Sequence, residues 1–185
     1  MMLFKTQKAW ESWLLKHSTS SAGLWLRIAK KAAELKSIDY KEALEIALCH
    51  GWIDGQRRSH DDESFLQRFT PRGPRSIWSK INRTKALELI EQGRMHPAGV
   101  AAVERAKQNG RWEAAYDSHR TSEVPDDLEK ALAGNPAAKA FFATLTAQNR
   151  YAILFRLHSA KKAETRQRRL DQFILMLEKH EKLYP

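Results

Sequence analysis

Apolar positions recur at two different periods along the chain, and the change of period divides it. Thr6 to His17 carries Trp10, Trp13 and Leu14 at helical spacing, with Thr6 placed as an N-cap. Gly23 to Lys30 alternates instead. Leu24, Leu26 and Ile28 face one way and Trp25, Arg27 and Ala29 the other, the pattern of a half-buried strand. Asp39 and Glu42 form a capping box ahead of Ala43, Leu44, Ala47 and Leu48, and Gly51 is placed to end that helix. Trp52 to Gln56 and Phe65 to Phe69 read as two short strands, with polar Ser59 to Glu63 turning between them.

From Ser76 onward the pattern is helical. Ser76 is expected to cap a helix through Trp78, Ile81, Leu87 and Ile90, closed by Gly93. Pro97 opens another through Val100, Val103 and Ala106, stopping near Gly110. Residues 117–124 are polar and read as a linker. Helices then follow from Pro125 or Asp126 to Gly134, from Asn135-Pro136 through Phe141 and Phe142, from Thr146 through Tyr151, Leu154, Phe155 and Leu157, and from about Lys161 to Lys179. The last places Leu170, Phe173, Ile174 and Leu177 on one face. The expected class is α+β: a small antiparallel sheet with packed helices in residues 1–120, then an all-helical region in 121–185.

Composition narrows the function classes. The chain has 185 residues, enough for a sizeable core without metal or disulfide. Cys49 is its only cysteine, which excludes an internal disulfide and a cysteine-rich zinc site. No apolar run approaches the roughly 18 residues that span a bilayer, and the start lacks the apolar stretch of a signal peptide. A cytoplasmic location is the expectation. The net charge is +10, with +7 in residues 1–120 and +3 in 121–185, so both parts attract polyanions.

Three runs resemble one known family in combination. They are Ala47-Leu48-Cys49-His50-Gly51-Trp52-Ile53-Asp54-Gly55, then Gln67-Arg68-Phe69-Thr70-Pro71-Arg72 through Ser76-Ile77-Trp78-Ser79-Lys80, then Gly93-Arg94-Met95-His96-Pro97-Ala98-Gly99. Ala160-Lys161-Lys162-Ala163-Glu164-Thr165-Arg166 ahead of the final apolar helix adds to them. The chain resembles the YdeI/OmpD-associated, or bacteriocin-protection, family over nearly its whole length. The resemblance implies a part in resistance to antibacterial peptides or envelope stress, and brings with it no enzyme activity, cofactor or catalytic residue. His96 stands where that family usually has Thr before Pro97, and Ala163 where Pro often opens the last helix. Both departures weaken a helix start.

The residues themselves point to an anion site. Residues 64–87 hold Arg68, Arg72, Arg75, Lys80, Arg83 and Lys85 and no acid. A helix beginning after Ser76 aims unpaired amides and its positive dipole end at the loop carrying the three arginines. Trp78 adds a stacking face. Asp54, between Gly51 and Gly55, is either an orienting acid for that site or an ion-pair partner of Arg68 or Arg72. Ordinary surface pairing of the arginines with Asp54, Asp61, Asp62 or Glu63 is the competing expectation. Cys49 and His50 are neighbours on a helix and do not face each other, so Cys49 reads as a buried structural thiol. No two of the seven histidines lie three or four apart, and no phosphate-loop or nucleophile-elbow motif occurs. Lys161 to Arg169 reads as a solvated basic face.

The resulting expectation is a non-catalytic protein binding an anionic small molecule or nucleic acid through Arg68, Arg72, Arg75, Ser76, Trp78 and Asp54, with no metal and no cofactor. One alternative is an enzyme on a small anionic metabolite with Asp54 as acid/base. The other is a protein-interaction module, which requires an exposed apolar patch.

Overall fold

In the computed structural model, which describes residues 1–118 and 122–185, the chain forms two compact units, Met1–Ala115 and Tyr116–Pro185. His119 and the middle of the expected linker lie outside the described residues. Among the described residues no helix is long and apolar enough to cross a membrane.

In the first unit, α1 (Gln7–His17) starts where the Thr6 hydroxyl accepts the amide of Ala9. β1 (Leu24–Ala29) alternates buried and half-buried residues. α2 (Tyr40–Cys49) opens on the Asp39/Glu42 capping box, with both reciprocal bonds made. It turns out at Gly51, whose φ of +72° suits a residue without Cβ. β2 (Trp52–Ser59) and β3 (Ser64–Pro71) form the expected hairpin, longer than the apolar pattern alone suggests. The sheet is antiparallel with order β1-β3-β2, so the last strand in sequence lies in the middle.

One sheet face packs on α1 and α2 through Trp10, Leu14, Leu26, Ile28, Trp52 and Phe69, all at most 2% exposed. The buried indoles are satisfied: Trp10 Nε1 donates to Ala43 O at 3.0 Å and Trp52 Nε1 to Ser18 O at 3.1 Å. A second cluster joins Leu48 and Cys49 to Trp78, Leu89, Val103 and Trp112. Cys49 is buried there, and burial pushes its thiol pKa up, as befits an inert residue.

The expected start at Ser76 is displaced. α3 runs Lys80–Glu91, and the hydroxyl of Ser79, not Ser76, accepts the amide of Asn82. Both serines have an isoleucine within two residues after them, Ile77 and Ile81; Trp78 is taken into the core ahead of the helix, which postpones the first turn. The buried face of α3 is Ala86 and Leu89, while Ile81, Leu87 and Ile90 are exposed. α4 (Pro97–Gln108) buries Gly99, Ala102, Val103 and Ala106 but exposes Val100. His96 caps α4 through its imidazole, Nδ1 accepting the amide of Ala98.

The second unit is helical: α5 (Asp126–Ala133), α6 (Pro136–Thr144), α7 (Ala147–His158) and α8 (Ala163–Glu178). Asn135 and Thr146 cap α6 and α7 with their side chains, whereas α8 begins at Ala163 with no side-chain cap. Leu128, Leu154, Leu157, Leu170, Phe173 and Leu177 meet in its core.

Candidate functional site

The face of the sheet turned away from α1 and α2 carries cations and one large ring. Cross-strand partners share a face. Trp25 of β1 lies opposite Arg68 of β3, and Arg27 opposite Leu66. On β2 the parity changes. Asp54 pairs with Phe69, and the next pair is Arg57 with Gln67, so three steps on one strand match two on the other. This bulge turns Arg58 to the side opposite Asp54. Buried Gln67 holds the bulge, its Nε2 donating to Gly55 O at 3.0 Å and Gln56 O at 3.2 Å.

The Arg58 guanidinium carbon therefore lies 4.5 Å from the Trp25 ring centroid, and that of Arg68 5.9 Å. Arg68 Nη2 reaches Ala22 O only at 3.5 Å. Among the described residues no carboxylate pairs with Arg58 or Arg68. Arg27 is different: its Nη2 lies 2.7 Å from Asp61 Oδ2. The Ser64 hydroxyl, followed by Arg27, holds the Asp61 carboxyl below its usual range.

The residues expected to converge occupy separate settings. Asp54 is on the helix-packed side of the sheet, where its Oδ2 accepts the Tyr40 hydroxyl at 2.7 Å, whereas Arg68 is on the open side. Arg72 is 5% exposed; its guanidinium carbon sits 3.6 Å from the Trp78 ring centroid, and Nη1 donates to Ile77 O at 3.0 Å. Arg105 donates to Arg72 O and Asn109 to Pro74 O, tying the loop to α4. The cavity beside Arg72 is about 10 Å³, room for one water. Arg75 is exposed and Ser76 half-buried in the same loop. Trp25 and Arg58 were missed by the charge run, which begins past both; Gly55 within a strand is the one signal of the bulge that orients Arg58.

The basic start of α8 is partly engaged in packing. Arg166 donates to Asp127 through two nitrogens and to Leu157 O through the third, and Arg169 donates to Arg156 O. Among the described residues no group of three or more His, Cys, Asp or Glu is placed to hold a metal ion.

Comparison with known families divides the chain in a similar way. Residues 2–102 match a domain of unknown function, DUF8412. The chain belongs to the DUF8412 family. Residues 121–180 match the family described as bacteriocin-protection, YdeI or OmpD-associated. That likeness is therefore narrower than the sequence runs imply: the runs at 47–55, 67–80 and 93–99 fall inside the DUF8412 match, and only the 160–166 run lies in the other. No curated protein and no solved structure matches the chain. The open sheet face, with Trp25, Arg58 and Arg68, belongs to the DUF8412 part.

Proposed function

We propose that this chain is a non-catalytic binding protein for single-stranded nucleic acid, with the open sheet face as its contact surface. The observation that carries the reading is the Trp25 ring flanked by the guanidinium groups of Arg58 and Arg68, neither paired with a carboxylate among the described residues. An indole face accepts any base by stacking, worth about 1–3 kcal/mol. Guanidinium groups fork onto phosphate oxygens. Arg68 is the looser of the two, so an incoming base displaces it from the ring towards the backbone phosphate. The net charge of +10 speeds encounter with a polyanion. A sheet face suits a polymer, while the cavity of about 10 Å³ beside Arg72 is too small for a phosphorylated metabolite.

The test is fluorescence anisotropy with a labelled oligothymidylate. Two phosphates neutralised on a single strand give a log–log salt slope of about −1.4, hence roughly a sevenfold loss of affinity between 50 and 200 mM salt. Trp25→Ala should weaken binding at least fivefold, and Arg68→Ala should flatten the slope by about 0.7. Binding that ignores both salt and Trp25 would refute the proposal.

A second reading, a protein-interaction module, draws on the exposed Ile81, Leu87 and Ile90 of α3. Leu87→Lys with Ile90→Lys separates the two, because it leaves the sheet face untouched.

A further inference from the structure

The second unit contains a pocket of about 110 Å³ lined by Tyr151, Leu154 and Phe155 of α7 together with Tyr116, Glu123 and Pro125. Three of its lining residues are aromatic rings, set beside Asp117, His158 and Arg166. The Tyr116 and Phe155 rings stand nearly perpendicular, 82° apart with centroids at 5.1 Å, and the Tyr151 ring lies 5.9 Å from Phe155 at 38°. Tyr151 donates its hydroxyl to Asp117 O at 3.1 Å. Burial, with Tyr116 and Asp117 beside it, pushes the Tyr151 phenol up to about 12, so the ring stays neutral. The exposed Glu123 also lines the pocket. Arg166 lines it too, with two nitrogens donating to Asp127, whose carboxylate offsets its charge.

We propose that this pocket binds a small alkylammonium head group, with Tyr116, Tyr151 and Phe155 as the ring walls and Glu123 as the carboxylate at the rim. Electron-rich ring faces attract a cation, and most strongly one whose charge is spread over methyl groups and cheap to desolvate. The volume is below the roughly 300–1,000 Å³ of sites for drug-sized ligands, which excludes a nucleotide and fits a compact head. A carboxylate at the mouth adds Coulomb attraction and rejects phosphate, so this site and the basic sheet face select ligands of opposite charge. It rests on none of the observations that carry the nucleic-acid reading.

The experiment is an NMR titration of the full chain with tetramethylammonium, read at the amides of Tyr116, Tyr151 and Phe155. Neopentyl alcohol serves as the uncharged probe of similar shape. Saturable shifts with tetramethylammonium, and at least threefold weaker binding in Glu123→Gln, are expected. Glu123 is exposed, so that variant folds. A peptide carrying trimethyl-lysine, run beside choline, distinguishes a partner's side chain from a free ammonium as the source; tighter binding of either one supports the site. Neopentyl alcohol binding as well as the cation, or no saturable shift with any ammonium, would overturn the proposal.

Discussion

Replacing Gly99 by alanine sets two effects of opposite sign against each other. Gly99 lies in the first turn of α4, where alanine is favoured over glycine by up to about 1 kcal/mol. A Cβ built there, however, meets the carbonyl oxygen of Cys49 at 2.2 Å and its carbonyl carbon at 2.9 Å. Ordinary contact begins at 3.4 Å, so α4 must retreat from the end of α2 by more than 1 Å. The obstacle is backbone, and the same carbonyl accepts the amide of His96 at 3.0 Å, so it has no freedom to swing aside. Overpacking of this kind costs about 1–3 kcal/mol, and more where the neighbour is rigid. Net destabilisation of about 2–3 kcal/mol is expected, a fall in Tm of roughly 8–12 °C for a unit of this size. All six tryptophans lie within Met1–Ala115, so intrinsic fluorescence follows this unit alone. Gly110→Ala is the control: its φ of +71° strains a side chain, but nothing lies within 4 Å, and about 1 kcal/mol is expected. Gly99→Ala melting at or above the unsubstituted chain would show that the close approach of α4 to α2 is not a constraint.

Further outcomes follow from the packing. His50 is 3% exposed, its ring stacked on that of His96 with centroids 4.9 Å apart, and burial followed by the His96 charge lowers its pKa below the ordinary value near 6.5. The unfolded state then binds the proton more readily, so this contribution to stability is present above about pH 6.5 and is lost as pH falls; the urea midpoint by tryptophan fluorescence should drop from pH 7.5 to 5.5, and drop less in His96→Ala. Arg166→Ala removes the fork on Asp127 and should cost about 1–2 kcal/mol, discounted for the partial exposure of both side chains, as read by far-UV circular dichroism. The Arg166 hydrogen bond holds the Asp127 carboxyl below its usual range; its contribution, present above about pH 4 and lost as pH falls further, should shrink in that variant. Arg72→Ala strips the stack on Trp78 and the bond to Ile77 O and should destabilise the first unit by about 2 kcal/mol, whereas Arg75→Ala should leave the melting temperature unchanged.

Most of the fold is legible because its signals are local. The Thr6, Asp39, Asn135 and Thr146 caps act within three residues of themselves, and the alternation of Leu24, Leu26 and Ile28 needs only one buried face. What fails is what depends on distant neighbours. Ser76 and Ser79 are equivalent as caps by type; the burial of Trp78 against Trp112 and Arg72 chooses between them. Ile81, Leu87 and Ile90 look like a core stripe, yet the buried face of α3 is Ala86 and Leu89, with small Ala86 allowing close approach. At the candidate site, charge counting finds the arginines but not their directions. The facing of Arg68 and Asp54 comes from strand register, and that of Arg58 from an extra residue in β2. Neither is written in composition.

The strand order has a consequence for how the chain leaves the ribosome. The middle strand of the sheet is the last to be synthesised, and β1 and β2 never pair with each other. Until residue 71 has emerged, Leu24, Leu26 and Ile28 lack their β3 partners and present an apolar face to solvent or to a chaperone. Nascent chains arrested between residues 30 and 63 should therefore be the most aggregation-prone lengths, and the hairpin arriving as one piece ends that exposure in a single zipping event.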